Sequence, residues 1–422
     1  MSEFFNVLPP DEACALMFHH LTRVMPAEVI PVQDAVGRVT AVPTPAPHNL
    51  PTFRRSTMDG YAVRAADTYG ASESLPAFLQ VIGEVPMGKP ASITLGIGQA
   101  ALVHTGGMIP ETADAVVQIE HTQTISQSQL IIHNSQLFPY EIEVFRAVAI
   151  GQNVLQIGED VHQGSEILPA GHWLRPQDLG GLLALGITEI AVTRRPRVGI
   201  LATGDEVVPP QQSAGPGQIR DINSYTVGGQ VQQAGGIPIY GGIIPDNFAA
   251  LLAAAEHMLA AADMLVMSAG SSVSVRDMTV EVMNGLGQPG VLLHGVATRP
   301  GKPTIVGVVD GKPVIGLPGN PVSAMIQFDM FGTPAIYRLQ GIQMAPRRGL
   351  VWAQLTQNIA SESGREDYIP ARLTDGEVGM LATPVFGKSN LIYTLVNADG
   401  LIKVPLNKGG LLAGEWVEVR LF

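Results

Sequence analysis

The chain has one cysteine, Cys14, in 422 residues, so no disulfide can form within it, and this usage fits a reducing compartment. Cys14 itself reads as a small apolar helix residue rather than a nucleophile. Charge is scarce too: charged residues make up 15% of the chain, and the formal net charge is −12. That acidic balance argues against nucleic acid or an anionic membrane as the main partner, so any anionic ligand must be held by a local group of cations. Long apolar runs are missing. The most apolar long stretch, 248–267, is broken by Glu256, His257 and Asp263 and falls short of a membrane span. The N-terminus lacks a basic region followed by an apolar core, so no signal peptide is expected and a cytoplasmic location is. The histidines show no metal-ligand spacing, and neither a Walker-type loop nor a G-x-S-x-G elbow occurs. Residues 285–290 fit G-x-G-x-x-G, but they end a helical pattern instead of opening one and read as a turn.

What the chain does have is apolar material. Hydrophobic residues make up 46% and mean hydropathy is +0.22, which points to apolar surface used in domain or subunit contacts and predicts an oligomer. The length predicts about three domains. Residues 10–25 read as an amphipathic helix with Ala15, Leu16, Phe18 and Leu21 toward the core. Residues 51–143 carry short β-like runs at 78–85, 100–104, 115–120 and 130–133. A helical pattern returns at 176–185, so the β-rich stretch reads as an insertion into a discontinuous domain.

After residue 193 strands and helices alternate: strands at 197–201, 237–240, 264–267, 291–296, 304–308 and 314–317, and helices at 224–234, 246–262 with Asp246 as N-cap, 277–286 and from Pro321. Alternation of these lengths predicts an open, mostly parallel α/β sheet with helices on both faces. Beyond residue 346 the runs 350–355, 368–373, 391–396, 401–404 and 416–421 are β-like and predict a small barrel or sandwich.

Ligands of open α/β sheets bind beyond the carboxyl ends of the strands. Four loops fall there: A-T-G-D-E at 202–206, the small-residue loop from Ser268 to Ser274, R-P-G-K-P at 299–303 and G-L-P-G-N-P at 316–321. Small residues let a ligand approach the backbone, and free amides at a helix start suit a phosphate or oxyanion. Asn320 stands as N-cap with Pro321 at the first helical position, while Arg299 and Lys302 supply positive charge. Asp277 would repel a phosphate unless a cation lay between them, and a Mg²⁺ shared by carboxylate and phosphate oxygens reconciles the two. The plainer alternative is that Asp277 caps its helix. Each loop alone also fits an ordinary turn or cap.

The motifs T-M-D-G-Y-A-V-R at 57–64, H-T-G-G-M-I-P-E-T-A-D-A-V-V at 104–117, G-E-D at 158–160, A-T-G-D-E, R-P-G-K-P and G-L-P-G-N-P-V-S at 316–323 resemble, in order and spacing, the molybdopterin molybdenumtransferases. This is the bacterial molybdenum-insertion family that includes the E domain of gephyrin. The resemblance implies a homodimer of four-domain subunits: a discontinuous domain at 1–50 and 144–193, an inserted β-rich one at 51–143, a molybdopterin-binding α/β one at 194–340 and a C-terminal β-barrel at 341–422. It implies that molybdate is placed on the dithiolene of adenylylated molybdopterin with release of AMP and help from Mg²⁺. It assigns Asp59, Glu206, Asp277 and Lys302 to catalysis, with Glu206 and Asp277 as metal ligands. Thr105, Asp160, Thr203, Gly204, Ser268, Gly270, Ser272, Arg299, Gly319, Asn320, Pro321, Ser323, Arg365 and Ser389 are assigned to substrate binding. It also places Asp59 where a dimer brings it to the other subunit's site, and it implies a molybdopterin adenylyltransferase and apo molybdoenzymes as partners. The sequence departs from the family pattern at Arg299, usually lysine, and at Ala269 and Ser274, usually glycine. Two other readings stay open here: a non-catalytic molybdopterin-binding or scaffold homologue, and a molybdopterin adenylyltransferase. The retained Asp59, Glu206, Asp277 and Lys302 weigh against the former, since a retired site has no need of clustered carboxylates.

Overall fold

The structure is a computed structural model that describes residues 7–125, 138–268 and 273–422; the loop positions Gly270 and Ser272 and the expected strand 130–133 lie outside the described residues. The chain forms two compact units, one of 1–42, 169–179 and 188–422, the other of 43–168 and 180–187.

The first unit opens with helix α1 (Pro10–His20). Its core stripe is Ala13, Met17 and Leu21, spaced four apart. The expected stripe with Ala15 is corrected: Ala15 is exposed and the helix ends at His20, not Met25. Cys14 donates its thiol to the Met330 carbonyl oxygen at 3.2 Å; burial, with Asp11 nearby, pushes it up to about 12, so it has no thiolate character.

The α/β body follows as β1 (Arg197–Thr203), α2 (Asn223–Gln233), β2 (Ile237–Ile244), α3 (Phe248–Ala261), β3 (Met264–Ser268), α4 (Val273–Gly285), β4 (Pro289–His294), β5 (Thr298–Arg299), β6 (Ile305–Val309), β7 (Lys312–Leu317), α5 (Pro321–Gln327) and, after a π turn, α6 (Thr333–Leu339). Six strands form one sheet in the order β2-β1-β3-β7-β6-β4. The pairs β1/β2, β1/β3 and β3/β7 are parallel, and β6/β7 and β4/β6 antiparallel. Alternation sorts the sheet's two faces. Met264, Val266, Val306 and Val308 pack with α1, α2, α5 and α6, whereas Leu265, Met267, Ile305 and Val309 pack with α3 and α4.

Two helix starts differ from the sequence reading. The N-cap of α3 is Asn247, whose Oδ1 accepts from Ala250 N–H at 3.0 Å, not Asp246. Helix α4 begins at Val273, so Asp277 lies a full turn inside and does not cap it.

The chain then enters a closed barrel: β8 (Leu350–Leu355), β9 (Glu366–Gly376), β10 (Gly379–Pro384), β11 (Gly400–Val404) and β12 (Trp416–Leu421), ordered β9-β10-β8-β12-β11 and closed by β11 on β9. Strand β5 adds to it through parallel pairing with β9. The expected strand at 391–396 is instead a short helix, Tyr393–Val396, and β10 was not expected.

In the second unit six strands lie in the order Ala115–Gln118, Gly60–Val63, Gln99–Val103, Ala77–Glu84, Tyr140–Val144 and Thr122–Ile125. The strands Ala115–Gln118, Gly60–Val63 and Gln99–Val103 are covered on both faces, whereas the other three have one face open, with Phe78, Gln80 and Glu141 exposed. Gly60 is fixed by close approach, because a Cβ there would lie 2.0 Å from the Val117 carbonyl oxygen.

Candidate functional site

A cleft of about 410 Å³ opens at the carboxyl ends of β1 and β3 and is lined by Thr203, Glu206, Ser268, Gly319, Asn320 and Pro321, with Arg220, Asp221, Asn223 and Asn390 among its other walls. Three of the four sequence loops thus converge on one sheet edge, as the strand-end rule requires. The floor is tied together by Asn223, a side chain 8% exposed. Its Nδ2 donates to Ser268 Oγ and to the Gly319 carbonyl oxygen, each at 2.9 Å, bridging two loops. Its Oδ1 is buried without a hydrogen-bond partner among the described residues, an acceptor available to a ligand. Sequence reasoning missed Asn223; the only signal was the D-I-N-S cluster at a helix start.

On one rim, Gly204 lies beside Glu206, whose Oε2 falls 2.8 Å from the position of a Cβ on that glycine. Asp246, a cap in the sequence reading, lies instead beside the 205–206 loop and is not among the residues lining the cleft. Its backbone N–H donates to Asp205 Oδ1 at 3.2 Å, and its own Oδ1 is buried and unpaired among the described residues. Burial first, then the charges of Asp205 and Glu206, push the Asp246 carboxyl above the usual carboxylate range. A divalent cation would relieve both the repulsion and the orphaned oxygen. Among the described residues no three His, Cys, Asp or Glu side chains are grouped to hold a metal ion, so a Mg²⁺ at Glu206 would need most of its ligands from substrate phosphates and water. Asp277 is exposed on α4 and is not among the residues lining the cleft.

On the opposite rim, Asn320 Nδ2 donates to Ser389 Oγ at 3.0 Å, and Val322 N–H to the Ser389 carbonyl oxygen at 3.1 Å. Asn320 stands before α5 but makes no side-chain cap. Ser323 is corrected: it is buried within α5, 3% exposed, and does not line the cleft.

The R-P-G-K-P loop sits over Gln327, which is fully buried and donates through Nε2 to Thr298 Oγ1 at 3.0 Å and to the Pro300 carbonyl oxygen at 2.9 Å. Gly301 has φ +108°, and a Cβ there would meet Gln327 at 2.4 Å, so this loop requires glycine. Lys302 is exposed. Arg299 Nη1 reaches Asp367 Oδ2 at 3.7 Å, and Arg365 Nε donates to Asp367 Oδ1 at 2.9 Å.

The other assigned residues belong to the second unit. There the Thr105 backbone N–H and hydroxyl donate to Asp59 Oδ1 at 2.8 and 3.2 Å. His104 lies beside both Asp59 and Glu84, its Nδ1 3.9 Å from Asp59 Oδ1 and its Nε2 2.9 Å from Glu84 Oε1. The Thr105 N–H is the main cause that holds the Asp59 carboxyl below its ordinary range; burial opposes it, and the Thr105 hydroxyl and the His104 charge add to the lowering. Asp160 is exposed, its N–H donating to the Leu50 carbonyl oxygen at 3.0 Å.

The sheet and its strand-end cleft define a molybdopterin-binding α/β module: residues 199–338 match the model of a probable molybdopterin binding domain. It is flanked by matches to the MoeA N-terminal region (domain I and II) at 8–186 and the MoeA C-terminal region (domain IV) at 352–422. A putative molybdopterin biosynthesis protein of Methanocaldococcus jannaschii is 34% identical over 99% of this chain and 98% of its own length. A molybdopterin molybdenumtransferase of Bacillus subtilis is 33% identical over 100% of this chain and 95% of its own. The crystal structure of a molybdopterin biosynthesis moeA protein from Pyrococcus horikoshii superposes with a TM-score of 0.84 at 31% identity, covering 99% of this chain and all of that one. The chain belongs to the MoeA family. No helix among the described residues is long and apolar enough to cross a membrane.

Proposed function

We propose that this protein is a molybdenum insertase, a transferase that places molybdate on the dithiolene of adenylylated molybdopterin and releases AMP. The observation that carries this reading is the polar cleft at the strand ends, lined by Glu206, Asn223 and Asn320, with Asn320 held in place by its hydrogen bond to Ser389. Full-length relatives at about a third identity bear the matching name.

Glu206, with Asp246 near it, would hold Mg²⁺, the remaining ligands coming from substrate phosphates and water. When bound, the ion supplies charge neutralisation for the substrate's phosphoanhydride. The chain's own groups do the rest. Asn223 offers its unpaired Oδ1 to a donor on the pterin or nucleotide and holds the Ser268 and Gly319 loops in register. Arg299, Lys302 and Arg365 collect the local positive charge that an oxyanion needs in an acidic protein. Asp59, kept ionised by Thr105, presents a second carboxylate on the other unit; Asp277, exposed and outside the cleft lining, leaves the metal role to Glu206 and its neighbour, and Asp160 keeps the substrate role that the resemblance assigns it. A homodimer accords with the high mean hydropathy and with exposed Trp352, Tyr393 and Trp416; light scattering at micromolar concentration should return twice the chain mass. The chemistry calls for an adenylyltransferase to supply the substrate and apo molybdoenzymes to accept the product.

The deciding experiment follows AMP release from adenylylated molybdopterin with molybdate and Mg²⁺. Glu206→Gln and Asp246→Asn should each lower the rate by about 100-fold, the scale of removing one group that stabilises transition-state charge. Tight binding of adenylylated molybdopterin with no AMP release, under molybdate or tungstate, would sink the insertase reading and leave a binding role.

A further inference from the structure

We propose that Asp367 is the positioning residue of a paired-guanidinium subsite for the oxyanion substrate, and that Glu362 is the placeholder carboxylate the oxyanion displaces. The proposal rests on the reading that Arg299 and Arg365 receive molybdate.

Backbone register creates the arrangement. Strand β5 pairs in parallel with β9, setting Arg299 directly opposite Asp367. The Asp367 side chain is 0% exposed, and a carboxylate so buried must be compensated by cations and hydrogen bonds. Its Oδ1 takes the Arg365 Nε hydrogen bond at 2.9 Å. Its Oδ2 has no hydrogen-bond partner among the described residues and faces Arg299 Nη1 at 3.7 Å. Two guanidiniums thus straddle one fixed carboxylate. The neighbouring Glu366 does not compete for them, because it is engaged by Lys403 Nζ and the Tyr368 hydroxyl, each at 2.6 Å.

The outward side of this pair differs from the inward side. Arg365 Nη1 is held at 2.9 Å by Glu362, whose side chain is 76% exposed, and Arg299 is 60% exposed. An ion pair that open to water is weak and exchangeable. A tetrahedral dianion can replace Glu362 on Arg365 and bond Arg299 at once, so each guanidinium keeps an acceptor throughout. Arginine suits Arg299's position because its planar fork can serve Asp367 with one edge and the oxyanion with another, which a lysine ammonium cannot do as well. Asp367 therefore sets where the two cations stand, and Glu362 sets how easily they are reached.

The test uses the full chain and measures two things for wild type, Glu362→Gln and Asp367→Asn: calorimetric binding of molybdate alone, and the dependence of AMP release on molybdate and on adenylylated molybdopterin separately. Glu362→Gln should tighten molybdate binding and lower its KM on the order of threefold. Asp367→Asn should raise the molybdate KM on the order of tenfold, with the KM for adenylylated molybdopterin unchanged. Equal change in both KM values, or none, in Asp367→Asn overturns the positioning role. Should that variant fail to fold, the exposed Glu362→Gln decides alone, and an unchanged or raised molybdate KM overturns the proposal. Wild-type protein that releases AMP normally but shows no saturable molybdate dependence overturns the oxyanion assignment of Arg299 and Arg365, and the proposal with it; wild-type protein that never releases AMP overturns the insertase reading itself.

Discussion

Asp178 accepts hydrogen bonds from the Arg175 backbone N–H at 2.8 Å, from Arg175 Nε at 3.0 Å and from His172 Nε2 at 2.8 Å. Burial alone would raise its carboxyl, but these hydrogen bonds and the His172 charge outweigh it and hold the group down to about 2. A folded-state value below the unfolded one means stability that is fully present above the ordinary carboxylate range and is lost as pH falls toward 2. Asp178→Asn should therefore lower stability at pH 7 by about 2 kcal/mol, and the gap between the two melting temperatures should narrow steadily from pH 5 to pH 3. Asp246 has the opposite sign. Its raised carboxyl makes the ionised form costly in the folded state, so this residue subtracts stability as pH rises through its folded value. Asp246→Asn should melt higher than wild type at pH 7 without divalent cation, whereas added Mg²⁺ should raise the melting temperature of wild type more than that of the variant. A larger Mg²⁺ shift in the variant would remove Asp246 from the cation's surroundings. Neither environment is readable from sequence, because Asp178 and Asp246 both stand near helix starts, where an aspartate ordinarily reads as a cap.

Among the elements, the sheet strands were legible because each is a short apolar run bounded by glycine, proline or polar residues; the inner strands β1, β3, β6 and β7 are buried on both faces, while the edge strand β2 leaves Ile237 and Tyr240 exposed. The misreadings share a cause. Residues 391–396 are an apolar run too short for periodicity to separate strand from helix; the chain coils there, burying Thr394 and Leu395 while Leu391, Tyr393 and Val396 stay exposed. Helix α4 was started too late because its first turn, Val273 to Arg276, has the β-branched and small residues of a loop. Of the site, the loops that carry motifs were found, but Gln327 was not: a glutamine inside an apolar helix announces nothing until the R-P-G-K-P loop lies against it. Gln327→Ala removes two buried hydrogen bonds and should cost about 2 kcal/mol. Gly301→Ala meets both an unfavourable φ and the Gln327 side chain, and should cost at least as much. Thermal melts of the two variants and of the double variant distinguish steric conflict from backbone strain: with Gln327 cut back, the alanine at 301 should cost less than it does alone, since part of its penalty is the clash.

At the scale of the whole molecule, helical material on both sides of a β-rich stretch marks an insertion, but the contacts that close the second unit have no signature in the sequence. They are two-residue ribbons between distant segments, Thr44–Pro45 with Glu166–Leu168 and Arg55–Ser56 with Val154–Leu155. Inside that unit the sheet carries separate cores on its two faces: Tyr61, Val63, Leu79 and Val117 on one, Ala62, Ala101, Val103 and Val116 on the other. Apolar side chains gathered into cores by the unit's own chain need no outside surface for their burial. The segment 43–168, expressed alone, should therefore fold and unfold in one cooperative transition with a stability of about 5 kcal/mol, near the lower end for single domains. Denaturant titration followed by circular dichroism and by tyrosine fluorescence checks this: coincident curves support an independently folding unit, and a fragment with no unfolding transition would show that its sheet depends on the remainder of the chain. In the fragment Thr105 should still hold Asp59, because both hydrogen bonds between them lie within it; the Asp59 carboxyl should then titrate below the ordinary carboxylate range by NMR, and lose that depression in Thr105→Pro, where the backbone donor is gone.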